Sequence, residues 1–186
     1  ISSNEKALAL VTTGPGITNI VTAISGAWLE SRELLVIGGQ VKSSDLSRGK
    51  LRARGIQEVN GVELLSSITK KSVLIDSPIN AEIFCSHVGQ SWEPRKGPVF
   101  LEIPLDVQAA NVKAENVVSH TEHKLKNVSS GEMQKIIDLY DMSERPVLLI
   151  GGGVDYECAV KNGNMLKKLS IPVMTTYNGA DRCNSS

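Results

Sequence analysis

Short apolar runs alternate along the chain with segments in which apolar residues recur at helical spacing. Residues 7–11 and 34–37 are apolar runs as long as buried strands, and both lead into glycines. Between them, the apolar residues from Ile20 to Trp28 recur on one helical face that can pack on a sheet. Further strands are predicted at 72–75, 99–103, 147–150 and 172–175, and further helices at 62–67, 78–92, 129–142 and 158–169. An order of strand, helix and strand favours a parallel sheet with right-handed crossovers.

One stretch breaks this alternation. Residues 107–128 hold few large apolar side chains and no clear period, which is typical of an interdomain linker. Ser129 and Glu132 then form the pattern of a capping box, so the alternation restarts there. We therefore expect an α/β fold of parallel sheets with flanking helices, divided into a first domain at 1–108, a linker at 109–128 and a second domain at 129–186. The second domain has too few strands to close a core, so we expect the natural chain to continue.

Composition narrows the range of partners. Twenty basic residues balance twenty acidic ones, which gives no reason to expect nucleic acid or a membrane surface as a partner. The longest apolar runs are too short to span a bilayer. Aromatic residues make up only 4% of the chain, so the core should be mostly aliphatic.

The cysteines and histidines give no expectation of a metal site. Cys85, Cys158 and Cys183 are widely spaced and form no C-x-x-C pair, so we expect reduced thiols in a cytoplasmic protein. His120 and His123 lie three residues apart, but a metal site needs three or four converging ligands. Two solvated linker histidines are the preferred interpretation.

Candidate chemistry lies just past the predicted strands, where open parallel sheets bind ligands. The first strand runs into a turn that contains Gly14, Pro15 and Gly16, and Asn19 follows in the first turn of the next helix. The two glycines let a ligand approach the backbone, and Pro15 offers a flat apolar face. A plain tight turn explains the same residues equally well.

Other strand ends carry weaker signals. Gln40 follows a buried strand and is a candidate ligand group, although a loop residue would look the same. A polar, basic loop leads past Gln57 to Lys70, and such loops are usually only solvated. The glycines at 151–153 do not form a dinucleotide fingerprint, because Tyr156 stands where its last glycine would be.

Taken together, these segments resemble the large subunits of acetolactate synthases and their thiamine-diphosphate-dependent relatives. The matching segments are Thr12-Thr13-Gly14-Pro15-Gly16-Ile17-Thr18-Asn19 for T-S-G-P-G-x-T-N, Gly38-Gly39-Gln40-Val41 for G-Q-V, Gln57-Glu58 for F-Q-E, Ser67-Ile68-Thr69-Lys70 for S-I-T-K, Lys96-Gly97-Pro98-Val99 through Ile103-Pro104-Leu105-Asp106-Val107 for R-x-G-P-V-x-x-x-I-P-x-D-V, and Arg145-Pro146-Val147 to Gly151-Gly152-Gly153 for the start of the middle domain. They follow the family's order over nearly the whole chain, which is more specific than any single motif.

The resemblance implies a fold and a set of cofactors. The first domain is expected to be the later part of a pyrimidine-binding domain, and the second the start of a Rossmann-like middle domain. The implied cofactors are thiamine diphosphate and Mg²⁺, with FAD as a further candidate because the family's middle domain helps to hold it. The implied partners are a 2-keto acid substrate, further copies in a homodimer or homotetramer, and a candidate regulatory subunit.

The resemblance also implies roles for individual residues. Pro15 and Asn19, within the turn that contains Gly14 and Gly16, would lie at the aminopyrimidine ring of the cofactor. Gln40 would bond to the ring or to the family's activating glutamate. Gln57 and Lys70 would line the substrate channel.

Two of the family's motifs do not occur in these residues, and two positions differ. The activating glutamate belongs to an H-E motif upstream of the first segment, and the G-D-G motif for the magnesium diphosphate belongs to a third domain. We therefore expect this chain alone to be inactive and to bind thiamine diphosphate weakly. Ile56 replaces the phenylalanine of F-Q-E, and Lys42 replaces the proline that often follows G-Q-V. These departures keep open another thiamine-diphosphate decarboxylase or acyl transferase, or a non-catalytic domain of this fold.

Overall fold

The computed structural model describes residues 6–112 and 127–183. The chain divides into two compact units, residues 1–123 and 124–186, and each is described by itself. Part of the predicted linker, including His120 and His123, lies outside the described residues. Across the two described ranges, no helix is both long and apolar enough to cross a membrane.

The first unit is a parallel sheet with flanking helices, as predicted. Its elements are β1 (Ala7–Val11), α1 (Pro15–Asn19), α2 (Val21–Leu29), β2 (Leu34–Gln40), α3 (Gly61–Leu65), β3 (Lys71–Leu74), α4 (Ala81–Gly89), β4 (Pro98–Pro104) and α5 (Leu105–Gln108), with 3-10 turns at Ser43–Asp45 and Ser66–Ile68. The four strands are hydrogen-bonded in the order β1-β2-β4-β3, and every pair is parallel. All the carboxyl ends of these strands therefore lie at one edge of the sheet.

Two clusters of buried apolar side chains hold the first unit together. The first contains Ile17, Ile24 and Leu65 from helices α1, α2 and α3, packed with Val36 and Phe100 of the sheet. A second cluster consists of Ile75, Val88, Val99 and Leu101. Because side chains alternate between the faces of a strand, β2 and β4 contribute to both clusters and form the centre of the sheet.

Two details differ from the predictions, and each has a local cause. Strand β2 continues through Gly38 instead of turning there, because the missing side chain makes room for packing: a Cβ on Gly38 would lie 2.8 Å from the Phe100 ring. Helix α4 begins at Ala81, later than the expected start at Ser77 and Pro78. The side chain of Asn80 accepts a hydrogen bond from the Ile83 N–H and caps the helix there.

The second unit is a smaller parallel arrangement. Its elements are α6 (Ser130–Asp141), β5 (Leu148–Ile150), α7 (Tyr156–Lys168), β6 (Val173–Thr175) and a 3-10 turn at Tyr177–Arg182. Strands β5 and β6 pair in parallel. The predicted capping box of Ser129 and Glu132 is present at the start of α6, and Asp155 caps α7.

Candidate functional site

A tight turn joins β1 to α1 at the carboxyl edge of the first sheet. Gly14 in this turn is buried and has φ +59° and ψ −109°, a conformation open to glycine alone. A Cβ at position 14 would lie 2.2 Å from the main-chain oxygen of Gln57. The turn after β1 and the loop that carries Gln57 therefore meet at backbone distance, and the glycine makes that contact possible.

Gln40, at the end of β2, bonds to both segments. Its side chain is only 5% exposed. The amide nitrogen donates to the Val59 carbonyl at 2.8 Å and to the Glu102 carboxylate at 3.0 Å. The amide oxygen accepts from the Thr13 hydroxyl at 2.9 Å and from the Val41 N–H at 2.8 Å. All four hydrogen-bonding positions of the amide are filled from within the chain.

Glu102 is a buried carboxyl group that is not among the site residues expected from the sequence. It lies in the middle of β4 and is 2% exposed. Burial raises the pKa of this carboxyl to about 7, and the negative charge of Glu58 adds to the rise. Hydrogen bonds from Gly61, Gln40 and Val62 act in the opposite direction. A charged residue inside the otherwise apolar strand was the one signal in the sequence that could have identified it.

Glu58 organises the basic loop that follows β2. Its carboxylate accepts hydrogen bonds from the main-chain N–H groups of Ser47 at 2.6 Å, Arg54 at 2.7 Å and Gly55 at 3.1 Å. Burial alone would raise the pKa of Glu58, but these bonds outweigh it and lower the pKa to about 2. The carboxylate is therefore ionised at neutral pH and closes the loop through its backbone.

The polar and apolar groups that solvent can reach lie along α1 and the adjoining loop. Pro15 and Asn19 are exposed on α1, and Gln57 is exposed with φ +60°. Gly16 packs closely on the residue that follows β1, since a Cβ there would lie 2.8 Å from the Thr12 methyl group. The edge thus offers a flat proline face, two free amide groups and a buried glycine turn to a ligand.

An apolar cavity of about 710 Å³ adjoins this edge. Its wall includes Leu10 and Ile37 of the sheet and Phe84 of α4, and Thr13 and Gln40 border it. The Thr13–Gln40 hydrogen bond therefore lies between the exposed turn and an apolar space.

Lys70 lies at the opposite edge of the sheet. Its N–H donates to the carbonyl of Pro98, the residue that pairs with Leu34 at the start of β2. Gln40 is six residues further along β2, which is about 20 Å at the rise of a strand. The ammonium group of Lys70 donates to the Glu93 carbonyl at 2.8 Å. The structure thus brings Gly14, Gln40 and Gln57 together and places Lys70 apart from them, and the expected substrate channel lined by Gln57 and Lys70 stays a prediction.

The described residues show no metal centre. Within 6–112 and 127–183, no group of three or more His, Cys, Asp or Glu side chains is placed to hold a metal ion.

Comparison with known proteins identifies relatives of the chain. Residues 2–64 match the family described as "Thiamine pyrophosphate enzyme, N-terminal TPP binding domain". The acetolactate synthase large subunit of Lactococcus lactis is 32% identical over 96% of this chain. A probable acetolactate synthase large subunit of Methanocaldococcus jannaschii is also 32% identical, and the chloroplastic acetolactate synthase of Arabidopsis thaliana is 30% identical, again over 96% of the chain.

The match covers only part of each relative. The chain spans 31% of the Lactococcus and Methanocaldococcus proteins and 27% of the Arabidopsis protein. The similarity nevertheless runs through both units, and the parallel α/β sheet of the first unit is consistent with the matched domain. In residues 2–64 the chain thus matches the N-terminal domain of thiamine pyrophosphate enzymes, and over nearly its whole length it is similar to acetolactate synthase large subunits.

Proposed function

We propose that this chain supplies the aminopyrimidine-binding edge of a thiamine-diphosphate-dependent carboligase of the acetolactate synthase type. The observation that carries the proposal is the glycine turn after β1, held between the Gln40 amide and the Gln57 loop. Relatives named acetolactate synthase match the chain over nearly all its length, which supports this choice of activity.

The chemistry of the exposed groups fits an aminopyrimidine. Such a ring has two flat faces, ring nitrogens that accept hydrogen bonds and an amino group that donates them. Pro15 offers an apolar surface to a ring face, and the Asn19 amide can both donate and accept. Gly14 and Gly16 carry no side chain that would keep the ring from the backbone. Gln40 contributes indirectly in this proposal, because its amide is buried and fully bonded.

Bound thiamine diphosphate would supply the chemistry for decarboxylating a 2-keto acid and transferring the resulting acyl-anion equivalent to a second carbonyl. This chain contributes binding and orientation. In this proposal the turn positions one ring, and Gln57, which is exposed beside that turn, would contact the substrate. We assign no residue of this chain to Mg²⁺.

The remaining components of the active enzyme are part of the same proposal. The substrate would be a small 2-keto acid, in line with the relatives' names. FAD is proposed for the second unit, where the glycines of the 151–153 turn follow β5. The proposal also includes assembly as a homodimer or homotetramer, a regulatory subunit and a cytoplasmic location.

A second candidate is a different thiamine-diphosphate decarboxylase or acyl transferase. Ile56, which replaces the family's phenylalanine, is 88% exposed beside Gln57. Lys42, which replaces the frequent proline, is also exposed. Both changes lie on the loop side of the site, so they would alter the acceptor and leave the pyrimidine edge unchanged.

The test is carried out on the complete natural enzyme that contains this segment. We expect acetolactate formation from pyruvate to require thiamine diphosphate. The variant Asn19→Ala should need roughly tenfold more cofactor for half-maximal rate, the equivalent of one lost hydrogen bond. Asn80→Ala is the matched control, because it removes an amide that caps α4 and should change stability without changing cofactor demand. An active enzyme that needs no thiamine diphosphate would refute the proposal, and activity on another keto acid with the same cofactor demand would favour the second candidate.

A further inference from the structure

The proposed function leaves one buried ionisable group without a role. Glu102 lies on β4, which pairs with β2 on one side and β3 on the other. Carboxylates are rarely buried in the middle of a sheet unless hydrogen bonds compensate for lost hydration. The groups that stabilise the charged form of Glu102, the Gln40 amide and the backbone of Gly61 and Val62, belong to segments that form the carboxyl edge.

Glu102 joins the end of one strand to the start of a helix. On one side it accepts from the Gln40 amide at 3.0 Å. On the other it lies against the start of α3, where the main-chain N–H groups of Gly61 and Val62, the first two residues of the helix, favour its charged form and lower its pKa. A Cβ on Gly61 would lie 2.6 Å from the Glu102 Oε1 atom, so the approach depends on glycine at this position.

The start of α3 is only four residues beyond Gln57. Within this short connection, the Val59 carbonyl accepts from the Gln40 amide at 2.8 Å and from the Gly61 N–H at 2.9 Å. At its beginning, the Gln57 carbonyl packs against the α-carbon of Gly14. A shift of the start of α3 would therefore move Gln57 as well, because the segment between them is short and hydrogen-bonded.

We propose that Glu102 is a positioning residue that ties Gln40 to the start of α3 and thereby holds Gln57 against Gly14. The inference rests on the proposed function where it concerns the cofactor, because Gly14 and Gln57 belong to the proposed pyrimidine edge. The positioning of Gln57 by Glu102 does not depend on the proposed function, because it involves this chain alone.

The tie depends on the charge of Glu102. The ionised carboxylate accepts from the Gln40 amide and attracts the N–H groups of Gly61 and Val62, whereas a protonated carboxyl can turn an O–H group towards them. Nearby side chains on the sheet face are uncharged: Gln40 on β2 and Leu74 on β3. Glu58 on the loop and Glu63 on α3 are like charges, and Glu63 is bonded to Asn60. Proton uptake at Glu102 should thus loosen the loop.

The test uses ¹H–¹⁵N NMR of the 186-residue chain between pH 5 and 9. We expect the Gln40 side-chain amide, the Gly61 N–H and the Gln57 N–H to follow one titration step with a midpoint near 7, the pKa that burial confers on Glu102. The variant Glu102→Gln should remove that step and speed hydrogen exchange at Gly61. Ser91→Ala is the matched control, since Ser91 is equally buried but bonds to Gly97 and Leu34 at the opposite edge.

Two outcomes would overturn the inference: a Gln57 N–H that does not follow the step seen at Gln40, or the same step in Glu102→Gln. The wild-type titration decides even where a variant fails to fold.

A second measurement concerns the cofactor in the complete enzyme. There the dissociation constant of thiamine diphosphate should be roughly tenfold higher at pH 6 than at pH 8. In Glu102→Gln this pH dependence should be lost. If the NMR signals share one titration step but the complete enzyme does not respond to thiamine diphosphate, the proposed function is rejected and the role of Glu102 in positioning Gln57 remains. If cofactor binding depends equally on pH in the wild type and in Glu102→Gln, Glu102 does not influence the cofactor site.

Discussion

The α-carbon of Gly14 faces the main-chain oxygen of Gln57 so closely that a Cβ would lie 2.2 Å from that atom. The substitution Gly14→Ala should therefore destabilise the first unit by about 2 kcal/mol or more, because it combines an unfavourable φ with overpacking. The measurement is urea unfolding followed by tryptophan fluorescence. The two tryptophans of the chain, Trp28 and Trp92, both lie in the first unit.

Gly49→Ala separates the two causes. Gly49 also has a positive φ, +75°, but a Cβ there would meet nothing within 4 Å. Gly49→Ala should lower the free energy of unfolding only by the cost of the unfavourable backbone conformation, about 1 kcal/mol. Equal losses at the two positions would mean that the Gln57 loop moves aside freely.

A second prediction concerns Glu58 in acid. Hydrogen bonds from three backbone N–H groups lower its folded pKa to about 2, from the ordinary value of 4.5. A depressed carboxyl pKa contributes stability above the unfolded value, and that contribution is lost as pH falls towards the folded value. The wild type should therefore be more stable than Glu58→Gln at pH 7, and the difference should shrink as pH falls from 4.5 towards 2. A difference that stays constant through this range would show that the charge of Glu58 is not what closes the loop.

Glu102 should make the stability of the fold depend on pH in the opposite direction. Its pKa is raised from 4.5 to about 7, so the folded state binds more protons than the unfolded state between these values. The stability of the wild type relative to Glu102→Gln should fall by on the order of 2–3 kcal/mol as pH rises from 4.5 to 7. Urea midpoints at several pH values in this window provide the measurement. A flat difference would place the Glu102 titration outside it.

Lys70 should matter for stability and leave cofactor binding unchanged. Its ammonium donates to the Glu93 carbonyl, and a Cβ on neighbouring Gly97 would lie 2.9 Å from the Lys70 Cγ, so the stem is closely packed. Lys70→Met keeps much of the stem and loses the hydrogen bond, at a cost of about 1 kcal/mol. The thiamine diphosphate dissociation constant and the KM for the keto acid should not change in the complete enzyme. A raised KM would assign Lys70 to a substrate site that this chain does not form by itself.

Much of the fold was predictable because local patterns agreed with the final packing. The first strand was predicted at 7–11 and is observed at Ala7–Val11. The capping box of Ser129 and Glu132 was predicted correctly because both of its bonds join residues three apart. Apolar runs and caps are local signals, so a single sequence is enough to detect them.

The site was harder to predict because its contacts are long-range. Gln40 and Glu102 are 62 residues apart and meet only because β2 and β4 are neighbours in the sheet. Lys70 and Gln57 were expected to lie together because both belong to family motifs, but Lys70 directly precedes β3 and so lies at the edge where the strands begin. The order and direction of the strands in the sheet decide where Gln40, Glu102 and Lys70 lie, and the periodicity of the sequence does not contain this information.

The Glu58 carboxylate closes its loop through the N–H groups of Ser47, Arg54 and Gly55, and every residue except proline has such a group. The path of the loop is thus largely independent of which side chains it displays. Lys42 and Ile56, which differ from the family motifs quoted above, flank that segment. Substitutions there can accumulate without unfolding the scaffold, so the side chains of this loop can diverge in evolution while its path stays the same.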